Sequence, residues 1–431
     1  MGKRYCAKYF VERNVDHTHA CDYLLTCNMN MDPVQGFAYS SWDSGYGDLE
    51  MGADFSTLRA CGWNTNEAIV LCDAHDVNSQ EKVPFAPRSV LQKQLASADS
   101  FGGLKANMAS ELEYYVYKES YRAATTKNFV NLTPNGTYAE DYHILQGSRG
   151  EPLNMRVRDA LSRMGIVVEN SKGEYGVGQH ELNVEYGDAL RAADNHILFK
   201  HTFKEIAEQL GISVTFMAKP YTEQAGSSCH IHLSLANADG SNAFVGNETC
   251  GSVPNCSETF RHFLGGWMKY TPELMVFYAP TVNSYKRFAS ASWAPTSLTW
   301  SRDNRTAGFR VVGVGTKALR IECRLPGADA NPYLAFAASL AAGLTGVREK
   351  IEPPAPTDGN AYEAAAAAGG SKIVLPTTLG EAAERFAASE FAATAFGAHV
   401  RDHFAHFYAN EWKEYSAAVT DFERSRYFEQ I

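Results

Sequence analysis

Three short segments set chemically active residues one position apart: Glu111-Leu112-Glu113, His230-Ile231-His232 and Glu322-Cys323-Arg324. On a β-strand alternate side chains share a face. The outer residues of each segment then project together, while the middle one enters the core. The spacing predicts several strands lining one charged cavity. Carboxylates and imidazoles beside arginine suit a divalent cation and a phosphate held together.

Two further groups extend the set. Glu174 and Glu181 flank Gly176 and Gly178, and glycines permit a tight reversal that returns both acids to one point. Arg287, Arg302, Arg305, Arg310, Arg320 and Arg324 crowd one region of an otherwise acidic chain, and arginine clamps carboxylate or phosphate bidentately. Taken alone, each group has a plainer reading: a solvated edge strand, a hairpin with surface acids, a surface ion-pair set. Either histidine can be a metal ligand, or one a ligand and the other a phosphate contact. Together the groups imply phosphoryl transfer, with cations neutralising phosphate oxygens and arginines stabilising the charge that develops. No phosphate-loop motif ending in Gly-Lys-Ser/Thr and no GxGxxG is present, which argues against P-loop and dinucleotide folds. A His-x-His oxygenase of cupin type would leave the arginines without a purpose.

The elements that must position these residues mix without regular βαβ alternation, so the fold class is read as α+β. The length of 431 residues exceeds one compact core. A small β-rich domain is expected over 1–82 and a larger catalytic domain over 83–431. Predicted helices start at Pro87, with Ser89 as N-cap, and cover Val157–Met164, Asp188–Leu210, Phe260–Tyr278, Pro332–Val347 and most of the chain from Leu379. Predicted strands cover Lys105–Tyr117, a strand–turn–strand unit over Val167–Val184, Ile212–Ala218, His230–Leu235 and Leu319–Arg324. Ala364–Ala368 with Gly369-Gly370 reads as a frayed helix and linker.

Bulk properties exclude several classes. A net charge of −10 disfavours nucleic acid as a partner. No apolar run is long enough for a membrane helix and no secretory leader is visible, so no membrane partner and a cytoplasmic location are expected. Nine scattered cysteines read as reduced thiols.

Ser110-Glu111-Leu112-Glu113, Gly178-Gln179-His180-Glu181, Cys229-His230-Ile231-His232, Asn283-Ser284-Tyr285-Lys286-Arg287, Arg302-Asp303-Asn304-Arg305 and Arg320-Ile321-Glu322-Cys323-Arg324 with Asn331-Pro332-Tyr333 resemble, in order, the motifs of the glutamine synthetase superfamily. The resemblance runs from about Gly36 to Ile431. It implies a small N-terminal β-grasp-like domain and a catalytic domain with a curved antiparallel sheet. It implies two metal groups, Glu113/Glu174/Glu181 and Glu111/His230/Glu322, for two to three Mg²⁺ or Mn²⁺ ions, with ATP as cosubstrate. Arg287 and Gly226 match positions that hold glutamate. Arg305, Arg310, Arg320 and Arg324 match contacts to the transferring phosphate and the nucleotide, with Arg324 also facing glutamate; His232 and Ser234 match the nucleotide side. A homo-oligomer, a dodecamer of two hexameric rings, is also implied.

The departures choose the amine. Ammonia-using members carry a flap glutamate where this chain has Trp293, and an asparagine where it has Ala225. An indole takes no proton from ammonium but forms an apolar wall beside an alkyl group. Ser41-Trp42-Asp43-Ser44-Gly45-Tyr46-Gly47-Asp48 resembles the γ-glutamyl-amine ligases that use ethanolamine, methylamine, isopropylamine or polyamines. A small monoamine is expected, since only Asp43, Asp48 and Glu50 offer acids for a longer cation. Glutamine synthetase proper, a γ-glutamylpolyamine synthetase and a ligand-binding nitrogen sensor without turnover are the alternatives. The chain is expected to begin inside the β-grasp domain. Tyr362 falls near a tyrosine adenylylated in some members, in different surrounding sequence.

Overall fold

The computed structural model describes residues 2–363 and 374–431; the Ala364–Gly370 reading lies outside the described residues. Strands β1 (Thr18–Cys21), β2 (Asp48–Ala60) and β3 (Ala68–Asp76) form a small antiparallel sheet in that order. Helical turns over Ala7–Tyr9 and Phe10–Asn14 precede it, an addition to the β-rich reading of this region. A buried arginine rivets the small sheet to the rest. Arg88 reaches Asp73 at 2.6 Å, Asp54 at 2.7 Å and Asp194 at 3.0 Å. Its helix, Pro87–Ser100, is capped by Ala86 without a side-chain bond. Ser89 is therefore not the N-cap; it lies buried inside the first turn, where proline already presets the helical φ.

The second sheet contains β4 (Lys105–Tyr117), β5 (Val168–Gly173), β6 (Gln179–Val184), β7 (Gly187–Asp188), β8 (Ser213–Thr215) and β9 (Cys229–Ala236). Between β9 and the remaining strands, β10 (Val245–Cys250) and β11 (Val253–Cys256) form a separate hairpin. β12 (Trp300–Arg302), β13 (Phe309–Val312) and β14 (Arg320–Cys323) complete the large sheet, whose order is β12-β13-β14-β9-β4-β6-β5. β7 and β8 also pair with β4. Every pair is antiparallel except β12 with β13.

Alternation splits this sheet into a greasy back and a charged front. Met108, Leu112, Tyr114 and Val116 of β4, Ile231 and Leu233 of β9, Leu182 of β6 and Ile321 of β14 are buried on the back. There they meet the helix Ala189–Leu210, whose Phe203 ring lies 4.3 Å from Tyr114. That helix begins at Asp188, which accepts from the Leu190 and Arg191 amides, and stops at Gly211 at φ +68°, both ends as the sequence demands.

Other boundaries differ. The Val157–Met164 helix extends over Ile144–Arg163, with Pro152 in its interior. Phe260–Tyr278 is interrupted. A helix over Glu258–Tyr270 gives way to a 3₁₀ turn at Thr271–Glu273, where Pro272 supplies no amide, and Met275–Tyr278 resumes. Ile212–Ala218 shortens to the three residues of β8.

Candidate active site

Strand register builds the front face as a stepped row. Lys172 lies opposite Glu181 across β5 and β6, and Glu181 opposite Glu113 across β6 and β4. Two residues along β4, Glu111 lies opposite His230; two residues along β9, His232 lies opposite Glu322; and Glu322 lies opposite Arg310 on β13. Residues from six strands thus share one surface.

At one end Glu113, Glu174 and Glu181 bring carboxylate oxygens within 4.8 Å of one another. Glu174 enters from the β5–β6 turn, where its amide donates to the Gln179 carbonyl at 2.8 Å. Glu113 accepts from the Ser228 amide at 2.8 Å, the Ser228 hydroxyl at 2.5 Å and Gln179 Nε2 at 3.2 Å. Burial, then the charge of Glu174, pushes the Glu113 carboxyl up to about 7. Burial, then Glu111, pushes Glu181 up to about 8. The lysine of the row answers part of this charge. Lys172 Nζ contacts Glu174 and lies 3.7 Å from Glu181.

At the other end Glu111, His232 and Glu322 bring donor atoms within 4.8 Å. His232 Nε2 is 2.9 Å from Glu111, while His230 Nδ1 is 3.1 Å from Glu111 and 3.6 Å from Glu322. The resemblance assigned His230 to this group and His232 to the nucleotide side; here His232 completes the tight cluster and His230 flanks it. Burial acts to raise the Glu111 carboxyl, but hydrogen bonds to His230 and His232 overcome it and hold it well below the usual range. Glu322 is fully buried; burial again opposes ionisation, and the charge of Arg324 wins, leaving it at about 2. Burial pushes His230 down to about 4, the neutral form that ligates metal.

Arginines edge this second group. Arg324 Nη1 donates to Glu322 at 2.6 Å, and its buried Nε has no partner among the described residues. Arg310 donates to Glu322 at 2.9 Å and to Asp303, and Arg320 Nε lies 3.2 Å from His232 Nδ1. Arg305 and Arg302 are exposed, Arg305 on the loop between β12 and β13. Arg287 is buried and donates to the carbonyls of Leu325 and Arg324 at 2.7 and 2.8 Å.

The model for the glutamine synthetase catalytic domain matches residues 84–427. The chain belongs to the glutamine synthetase family. Among curated relatives, it is 44% identical to gamma-glutamylethanolamide synthetase of Streptomyces coelicolor, over all of this chain and 90% of the relative. It is 36% identical to glutamate–isopropylamine ligase of a Pseudomonas species, over all of this chain and 92% of the relative. Among solved structures, ligand-free GmaS superposes with a TM-score of 0.83 at 28% identity, covering 98% of this chain and 92% of GmaS. Glutamine synthetase family enzymes use ATP and divalent metals. The donor sets here fit that need: both are carboxylate-rich, one with imidazole, and in the Glu113/Glu174/Glu181 group burial and neighbouring carboxylates raise Glu113 and Glu181, a cost that a cation would offset.

Within the glutamine synthetase scaffold, Gly226 is forced by packing, since a Cβ there would meet Arg287 Cγ at 2.5 Å. Ser234 extends the His230/His232 face of β9. Trp293 stands on the loop after Arg287, 53% exposed as a residue and with φ of +63°. Asp43 and Asp48 are exposed, and Glu50 groups with His17 and His19 on the small sheet. The residues missed are Lys172, Gln179, Ser228 and Asn183, whose Nδ2 donates to Glu181 at 2.9 Å. Gln179 and Ser228 stood inside conspicuous motifs; Lys172 had no local signal, because only strand register brings it to the acids.

Proposed function

We propose that this chain is an ATP-dependent ligase joining the γ-carboxylate of L-glutamate to a small alkyl amine such as ethanolamine or methylamine. The observation that carries this is the pairing of two carboxylate-rich groups on one strand face with arginines along the edge, one of which keeps an unmet buried donor. Two to three Mg²⁺ or Mn²⁺ ions, held by Glu113, Glu174 and Glu181 and by Glu111, Glu322 and the flanking His230 and His232, neutralise phosphate oxygens when bound.

The chain's own residues do the rest. Arg324 offers Nε to the substrate anion, and Arg305, exposed on its loop, reaches the transferring phosphoryl group. Arg310 and Arg320 hold Glu322 and His232 in place beside the nucleotide, with Ser234 further along β9. Arg287 and Gly226 shape the glutamate end; with two donors already on backbone carbonyls, Arg287 acts there largely through position. A γ-carboxylate oxygen attacks the terminal phosphorus of ATP and ADP leaves. The amine nitrogen then attacks the acyl carbon, the bond to phosphate breaks, and the nitrogen gives up a proton.

Trp293 decides among nucleophiles, because an indole wall favours an alkyl amine over ammonium. Asp43 and Asp48 supply no buried acid for a polyamine, and the full donor set speaks against a sensor without turnover. The reading extends to a homo-oligomer of two hexameric rings, consistent with exposed apolar residues such as Phe422 and Phe428, and to the cytoplasm, where nine free cysteines stay reduced. The test is phosphate release with glutamate, ATP and a panel of amines. A small monoamine is expected to give the highest kcat/KM; ammonia leading by a wide margin overturns the reading of Trp293.

A further inference from the structure

The loop that carries Trp293 is conformationally expensive. Ala291 and Trp293 both adopt left-handed backbone, at φ +58° and +63°, although neither is glycine. Such residues persist where their surroundings hold them. One end of the loop is tied back on itself, since the Ser292 hydroxyl donates to the carbonyls of Ala289 at 2.6 Å and Arg287 at 3.1 Å. The other end is tied by a distant segment, as Tyr362 Oη donates to the Ala294 carbonyl at 2.9 Å.

The same segment also grips the Arg305 loop. Asn304 Nδ2 donates to the Gly359 carbonyl at 2.7 Å, and the Ala361 amide donates to Thr306 Oγ1 at 2.9 Å. Upstream, the Thr357 amide donates to the Trp300 carbonyl at 2.8 Å. Residues 357–362 thus run as a clasp over β12 and join the Trp293 and Arg305 loops away from their shared root, where the Phe309 amide donates to the Thr299 carbonyl at 2.9 Å. The half-buried Tyr362 phenol also lies close enough to feel the charges of Arg324 and Arg287.

We propose that Tyr362 is a positioning residue for amine selection: its bond to Ala294 fixes the indole of Trp293 relative to Arg305. The proposal rests on the reading of Trp293 as the amine wall. Y362F removes the bond and little volume. Expected are a five- to tenfold rise in KM for the alkyl amine, about the worth of one hydrogen bond, an unchanged KM for ATP, and faster amide hydrogen exchange over residues 288–296. W293A separates the two ideas. An amine KM that rises in W293A but not in Y362F overturns the clasp and spares Trp293. An amine KM unmoved in both overturns both. Hydrogen exchange in Y362F equal to wild type also overturns the clasp, whatever the kinetics.

Discussion

Arg324 and Glu322, two residues apart at the end of β14, form an ion pair of 2.6 Å in which the carboxylate has no exposure to solvent. Glu322 also receives Arg310 and borders both histidines, so it links the proposed cation-binding group to the arginine edge. E322Q keeps the volume and removes the charge. It is expected to weaken Mn²⁺ binding, read by calorimetry, about tenfold or more, and to lower phosphate release by roughly a hundredfold. Wild-type turnover in this variant would falsify the assignment.

Trp293 offers a direct exchange of specificity. W293E introduces the acid that the family resemblance leads one to expect in an ammonia-using enzyme. The ratio of kcat/KM for an alkyl amine to that for ammonium is expected to fall about tenfold or more. An unchanged ratio places the choice of amine elsewhere.

Arg88 holds three carboxylates, two from the small sheet and one from the Ala189–Leu210 helix. R88A leaves them facing one another partly buried. A loss of about 3–5 kcal/mol is expected from denaturant unfolding. Proteolysis of the 1–82 region should rise with it, while metal affinity at the catalytic face stays within twofold.

Acid should destabilise the fold through neutral imidazoles outside the site, His196 buried and His403 partly so. His403 stacks on Phe85 at 4.1 Å, and burial pushes it down to about 4; His196, against Ser110, is also pushed down by burial. The unfolded chain takes up these protons near pH 6.5 and the folded chain does not, so the stabilisation is present above that pH and lost as pH falls. For His403 the loss at pH 5 is about 2 kcal/mol. H403F should flatten the slope between pH 6.5 and 5; an unchanged slope removes His403 from the account.

The carboxylate and histidine pairs were legible because strand alternation is a local rule. Glu111 and Glu113, or His230 and His232, face one way wherever the strand sits. Lys172 was not legible, since its place beside Glu174 and Glu181 depends on pairing between β5 and β6, which no single segment encodes. The helix Ile144–Arg163 was cut short in the sequence reading because Gly147, Gly150 and Pro152 resemble breakers. Thr271-Pro272 was overlooked because the apolar pattern continues through it. Ser89 has the residue type of a cap, but Pro87 two positions earlier already starts the helix. The clasp at Tyr362 had no local signature, as its partners lie on loops brought near by the sheet.

Placing Glu111 and Glu113 on a single strand makes β4 a ruler. Their Cα atoms sit one pleat repeat apart, about 7 Å, a spacing that backbone geometry sets and side-chain choice cannot adjust. A substitution that shifts β4 moves both donor groups together, preserving their separation while misplacing each against β6 and β14. Tolerance to mutation on this strand should therefore be governed by the slower-varying frame of its neighbours. The loop of Trp293 can be retuned one residue at a time, but the spacing of the Glu111 and Glu113 carboxylates is locked to the repeat length of the polypeptide itself.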